Sequence, residues 1–154
     1  MDMILFQRRK FAIMNLKDNY TTIDLEEGLQ FKPQFDKRGG LLPVAVQEID
    51  TGQLLMLASV NEEALQKTIK TGLATFWSTS RNQLWTKGET SGDSLKVDNI
   101  LIDCDQDALV YQVTLLGNGV CHTLNKLGKH RKACFYREVS MVKKNNLQFI
   151  KNLQ

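Results

Sequence analysis

The tightest constraint on this chain is the run Asp103-Cys104-Asp105-Gln106-Asp107, set between two strand-like segments. Asn99-Ile100-Leu101-Ile102 leads into it, and Ala108-Leu109-Val110-Tyr111 leads out. An extended backbone alternates its side chains between two faces. If extended, the run places Asp103, Asp105 and Asp107 on one face and Cys104 on the other. Three carboxylates on one face repel one another unless a cation neutralises them. A hard divalent ion is the expected neutraliser, and magnesium suits because it needs only one or two carboxylates beside water or phosphate. An EF-hand is excluded, because the sixth and twelfth positions from Asp103 hold Ala108 and Thr114 where that loop needs Gly and Glu. The plain alternative is a solvated turn between two strands.

The thiols form a second constellation. Cys104, Cys121 and Cys134 lie close together in sequence, and both histidines, His122 and His130, fall between the first and the last. An odd number of cysteines argues against a disulfide framework and leaves metal binding, catalysis or burial. Paired Cys-x-x-Cys spacing is absent, so spacing alone points only weakly to zinc. Three thiolates would leave a tetrahedral zinc one open position, where a water ionises near neutral pH and becomes a usable nucleophile. His122 directly follows Cys121 and is either a fourth ligand or a general acid/base beside that water. His130 lies in a basic run and reads as surface.

The rest of the chain frames these groups as one domain. Residues 1–34 read as an N-terminal extension, with a short helical turn at Ile23–Leu29 and Pro33 and Gly39-Gly40 punctuating its end. Leu42–Ile49 and Leu54–Val60 read as a hairpin around Asp50-Thr51-Gly52-Gln53. A helix follows, with Asn61 as N-cap, Glu62 and Glu63 in its first turn and Gly72 at its stop. Its apolar stripe is Ala64, Leu65, Thr68 and Ile69. Leu73–Trp77, Gln83–Thr86, Leu95–Cys104, Ala108–Leu116 and Cys134–Val139 read as strands, and residues 143–154 as a loose helix or a tail. One principal helix in a mainly β chain predicts an α+β domain over 35–142 with a largely antiparallel sheet.

No apolar run approaches the length of a membrane span. The N-terminal order, apolar and then Gln7-Arg8-Arg9-Lys10, is the reverse of a signal peptide. A cytoplasmic protein is expected, and a net charge of +3 is too small to argue for nucleic acid.

Two polar loops complete the chemistry. Trp77, Ser78, Ser80, Arg81, Trp85, Lys87, Thr90 and Ser91 combine cations, hydroxyls and indoles suited to phosphate and purine recognition. With Glu89 they are the candidate substrate-binding residues. Gly88-Glu89-Thr90-Ser91-Gly92 is no Walker loop, since the Gly-Lys-Ser/Thr ending is missing. From Ala108 through Arg137 there is no acidic residue, while Lys126, Lys129, Arg131, Lys132 and Arg137 supply positive charge. That basic stretch would draw in an anionic substrate. It would also suit a zinc-stabilised nucleic-acid-binding module, although the carboxylate triplet would repel a phosphate backbone.

Taken in order, these motifs resemble the phosphoribosyl-AMP cyclohydrolases of histidine biosynthesis. The likeness runs from Phe35 to Arg137 through Phe35-Asp36, Gly40-Leu41, Trp77-Ser78-Thr79-Ser80-Arg81 and Leu84–Gly92. It continues through Asp103–Asp107, Cys121-His122-Thr123 and Cys134-Phe135-Tyr136-Arg137. The resemblance implies an intertwined homodimer, with Cys104 of one subunit joining Cys121 and Cys134 of the other around zinc. It also implies magnesium on Asp103, Asp105 and Asp107, and hydrolysis of the N1–C6 bond of the adenine ring of 1-(5-phosphoribosyl)-AMP. His122 is then the catalytic candidate. The chain departs from the family pattern between Cys121 and Cys134, where Leu124–Lys132 lengthens a usually short Thr-Gly-containing loop. Added loop length costs little closure entropy. Family members are often fused to a phosphoribosyl-ATP pyrophosphatase domain, and the stretch after Val142 predicts the cyclohydrolase alone.

Overall fold

The computed structural model describes residues 21–153. The first twenty residues of the expected N-terminal extension, and Gln154, lie outside that range. Alternation builds the centre of the sheet. In β1 (Leu42–Glu48), Leu42, Val44 and Val46 are fully buried while the residues between them are not. Gly52, with φ of 74°, makes the turn into β2 (Leu54–Val60), which pairs back in antiparallel register from Leu42↔Val60 to Val46↔Met56.

Caps delimit the two described α-helices, although only those of the second are read from sequence. α1 (Thr22–Glu27) begins with a reciprocal cap between Thr21 and Asp24. α2 (Glu62–Thr71) begins at Asn61, whose side chain accepts from the Ala64 N–H at 2.8 Å, and ends at Gly72 in the left-handed conformation. Its buried residues are Ala64, Leu65 and Thr68. Ile69 was expected in that stripe but is half exposed, because it falls at the far edge of the face the other three define. Thr68 ties the helix to the sheet: its hydroxyl accepts from the Thr75 N–H at 3.0 Å and from the Tyr111 hydroxyl at 3.4 Å.

β3 (Thr75–Ser78) and β4 (Gln83–Thr86) form a short hairpin, and β5 (Leu95–Ile102) and β6 (Leu109–Leu115) a longer one. The six strands lie in the order β4-β3-β2-β1-β6-β5. All neighbours are antiparallel except β1 and β6. The fold is therefore the expected α+β type with a mostly antiparallel sheet. Phe76 packs against Trp85 and Tyr111, with ring centroids 5.0 and 5.8 Å away, at the centre of the core.

Register shows that α2 covers only one face. Met56, Val46 and Tyr111 lie in one row across β2, β1 and β6 on the buried side. The adjacent row, Leu57–Ala45–Val110–Leu101, faces the other way, with Leu57 61% and Leu101 45% exposed.

Two expected strands differ. β5 stops at Ile102 and does not reach Cys104. The strand expected from Cys134 begins only at Arg137, as β7 (Arg137–Val139). Its partner β8 (Leu147–Phe149) lies where a helix or tail was expected. Tyr136 stacks on Phe149 at 6.1 Å, and the Arg131 guanidinium lies 4.2 Å over Tyr136. These aromatic contacts hold an otherwise exposed hairpin to the body. No helix among the described residues is long and apolar enough to cross a membrane.

Candidate active site

The carboxylates converge through a turn. Past Ile102 the Asp103 N–H still pairs with the Ala108 carbonyl at 3.1 Å, closing the β5–β6 connection. The Asp103 side chain then caps the loop from inside, its Oδ1 accepting from the N–H groups of Asp107 at 2.9 Å and Ala108 at 3.0 Å. Gln106 adopts the left-handed region with φ of 58°. The extended reading of this run is therefore corrected: side chains do not alternate here, because the backbone is satisfied by Asp103 rather than by a neighbouring strand. The result nevertheless gathers Asp103, Asp105 and Asp107, with carboxylate oxygens within 4.8 Å of one another. Cys104 is exposed in the same turn.

The cation that this cluster needs is partly supplied by the chain itself. A 3-10 turn at Phe35–Arg38 presents Lys37 to Asp105, and to Asp107 at 3.3 Å, and Arg38 to Asp107 at 3.2 Å. Arg38 foremost, with Lys37, holds the Asp107 carboxyl below its ordinary pKa against the opposing effect of burial. Asp105 foremost raises the Lys37 ammonium above its own.

Gln106 does not point toward the cluster. Its buried amide accepts from the Lys32 N–H at 2.7 Å and donates to the carbonyls of Gln30 at 3.1 Å and Leu25 at 3.3 Å. This side chain straps the segment after α1 across the carboxylate loop. Between strap and loop lies a cavity of about 370 Å³ lined by Leu25, Leu29, Phe31, Ile102, Asp103 and Cys104 among others.

The other two thiols meet far along the chain. The excursion from Cys121 to Cys134 is closed at its base by backbone bonds: Val120 N–H to the Lys132 carbonyl at 3.1 Å, and Cys121 N–H to the Arg131 carbonyl at 3.0 Å. An isolated bridge between Leu124 and His130 extends the pairing outward. Gly119 permits it, since a Cβ there would lie 2.5 Å from the Arg131 carbonyl oxygen. The residues between are spanned by this pairing, and the two cysteines return to one place. Cys134 is anchored by its N–H on the Leu55 carbonyl at 2.7 Å. Packing around the Cys134 thiol, and then the adjacent Cys121 thiol, raise its pKa to about 11, while Lys87 acts the other way. Cys121 is buried, and its sulfur lies 3.0 Å from the Thr123 hydroxyl. His130, expected at the surface, instead holds the Cys121 carbonyl through Nδ1 at 2.9 Å. His122 is exposed beside them.

The candidate substrate residues divide into two groups. Ser80 and Arg81 lie in the tip of the β3–β4 hairpin, where the Ser78 hydroxyl accepts from the Arg81 backbone N–H and guanidinium, each at 3.3 Å. Lys87, Glu89, Thr90 and Ser91 lie beyond its opposite end. A four-residue strand separates the groups by about 13 Å. Lys87 is the member near the thiols, as its effect on Cys134 shows. Trp85 packs on Phe76 and contributes to the core as well as to the surface; Trp77 is half-buried in β3.

Within one chain, then, the carboxylates meet and two thiols meet. The three cysteines do not form a single cluster among the described residues. No site role is read from sequence for Lys37, Arg38, Gln106 or Thr123, and His130 is read there as surface. Asp36-Lys37-Arg38 carried a usable signal, because a cationic pair near a domain entrance could have been matched to the carboxylates. Gln106 and His130 carried none, since their partners are backbone groups.

The chain is similar over most of its length to proteins of one family. The family model for phosphoribosyl-AMP cyclohydrolase matches residues 56–136. Curated proteins named phosphoribosyl-AMP cyclohydrolase from Hyphomonas neptunium and Desulfatibacillum aliphaticivorans are each 49% identical, over 74% and 68% of this chain and 81% and 79% of their own. One from a Chelativorans species is 48% identical over 76% of this chain and 80% of its own length.

Proposed function

The chain belongs to the phosphoribosyl-AMP cyclohydrolase family, and from that premise we propose that it hydrolyses the N1–C6 bond of the adenine ring of 1-(5-phosphoribosyl)-AMP with the help of zinc and magnesium. The coarser activity, a cyclohydrolase of histidine biosynthesis, follows from the family. The observation that carries the finer reading is the presence of two separate donor sets of opposite character. Asp103, Asp105 and Asp107 offer hard oxygens within reach of one ion, which fits magnesium. Cys121 and Cys134 offer adjacent soft sulfurs, which fits zinc.

The sulfur set of one chain is short of a ligand, while Cys104 is exposed on another turn. A second copy of the chain resolves both facts, with Cys104 of the partner subunit completing the thiolate set. The row Leu57–Ala45–Val110–Leu101, whose two leucines are exposed among the described residues, supports such self-association, since an apolar sheet face gains by burial. Three free thiols suit a reducing compartment, and the cytoplasm is the proposed one.

When bound, zinc would supply an acidified water and magnesium a fixed positive charge for phosphate. The chain's own groups do the rest. His122, exposed next to Cys121, is placed to move a proton at the attacking water or at the departing ring nitrogen. Lys87 brings positive charge toward Cys134 and opposes the burial that favours its thiol form. Ser78 and Arg81 form a preorganised polar tip suited to phosphate. Trp77 and the edge of Trp85 offer aromatic surface to a purine.

An ultraviolet assay for ring opening, run with and without a chelator, tests this reading. Turnover that a chelator abolishes and added zinc restores is expected. No turnover in metal-replete protein would sink the substrate assignment, and turnover untouched by chelation would sink the metal assignment.

A further inference from the structure

The carboxylate cluster is held together by a side chain that a metal would have to displace. Lys37 Nζ lies against Oδ2 of both Asp105 and Asp107, two of the carboxylates that would hold the ion. Asp103 has already committed Oδ1 to two backbone N–H groups. Arg38 differs from Lys37, since it reaches only Asp107 Oδ1. The 3-10 turn bearing both cations is fixed without them. Phe35 packs on the core, the Gly40 N–H bonds the Phe35 carbonyl at 2.8 Å, and the Gln34 N–H bonds the Gln106 carbonyl at 2.7 Å.

We propose that Lys37 is a tethered competitor of the divalent ion, so that loading of the carboxylate loop exchanges its ammonium for the metal. The proposal rests on the magnesium reading above. The chemistry of lysine suits this role. A strongly hydrated ammonium on a flexible four-carbon stem leaves readily for water, whereas a guanidinium fork is more firmly held. The Lys37 side chain is half exposed, and exposed ion pairs are weak. The tether therefore neutralises the empty loop, limiting carboxylate repulsion, without closing it to a doubly charged ion. It lowers divalent affinity by occupying two oxygens and by leaving a positive charge nearby once displaced.

Manganese is the probe, because the free ion is counted directly by electron paramagnetic resonance. Full-length, zinc-loaded protein is titrated as wild type, Lys37→Met, Lys37→Arg and Asp105→Asn, with circular dichroism and melting temperature checking each fold. Lys37→Met is expected to tighten manganese about tenfold, the size of effect that loss of a competing charge at contact distance should give. Lys37→Arg keeps the competing charge and should stay at or below wild-type affinity, and Asp105→Asn should weaken binding. Equal affinity in wild type and Lys37→Met, with Asp105→Asn still weakened, overturns the competitor and leaves the metal reading standing. Weaker binding in Lys37→Met overturns it as well, by making Lys37 a supporter of the metal. If no variant, Asp105→Asn included, differs from wild type, manganese does not use this loop, and both the magnesium reading and the competitor fall.

Discussion

The two donor clusters of this molecule are built in opposite ways. The carboxylates are local: one turn of the chain, from Asp103 to Asp107, supplies all three, and an aspartate of the cluster makes the turn itself. The thiols are non-local. Cys121 and Cys134 are separated by a long excursion, and the third cysteine lies on a different connection of the sheet. A local cluster forms wherever its turn forms, and sequence spacing alone nearly describes it. A non-local cluster depends on strand pairing, on Gly119 at the close approach to Arg131, and on a second chain if the dimer reading holds. The first should tolerate damage elsewhere in the molecule. The second should be lost as a whole.

The largest expected effect separates a ligand from its neighbour on the non-local side. Cys121→Ala should abolish bound zinc and lower turnover about 10³-fold or more, since a catalytic metal supplies several kcal/mol of transition-state stabilisation. His122→Ala should lower the rate about 10²-fold while zinc, measured by metal analysis, stays bound. Loss of zinc from His122→Ala would make it a ligand, and full activity in Cys121→Ala without zinc would break the thiol assignment altogether.

A smaller effect tests whether the local cluster makes its own turn. Asp103→Ala leaves the N–H groups of Asp107 and Ala108 without their acceptor and should cost about 1 kcal/mol in urea unfolding. Asp103→Asn retains an acceptor oxygen and should recover most of that stability while still weakening magnesium. If the two variants unfold alike, the cap is not what shapes the loop.

The smallest effect contrasts the clusters by pH in metal-free protein. Asp107 has a lowered pKa in the fold, so its contribution is present above the ordinary carboxylate value of 3.8 and is lost as pH falls through the folded value. Cys134 is raised from 9.0 to about 11, so its contribution is present below 9.0 and is lost as pH rises through about 11. The urea midpoint of Asp107→Asn should therefore approach that of wild type only at acid pH, and that of Cys134→Ser only at alkaline pH. Convergence at the same end of the scale would erase the distinction between the two regions.

Much of this architecture was legible before folding was considered. The β1–β2 hairpin, α2 with its Asn61 and Gly72 caps, and β4 lie where alternation and capping put them. The order of motifs was enough to point to the family. Other features were misread for identifiable reasons. Ile69 looked apolar enough for the core but sits past the edge of the buried stripe. The C-terminal hairpin is only half read from sequence: the strand expected over Cys134–Val139 contains β7, but β8 is short, exposed on both faces and held partly by aromatic contacts made from elsewhere.

The aspartate run marks the boundary between the two kinds of knowledge. Residue identity alone determined that three carboxylates and a thiol share one short segment and that the carboxylates need positive charge. Those statements concern composition at fixed spacing, and no fold can change them. Only the tertiary structure decided that the run turns rather than extends, that Lys37 and Arg38 reach it from a turn nearly seventy residues away in sequence, and that Cys104 lies apart from Cys121 and Cys134. The physical reason is the same in each case. A backbone conformation is chosen by which donors and acceptors it can satisfy, and here the satisfying partners are an aspartate side chain, a distant ammonium and the carbonyl groups of a strap.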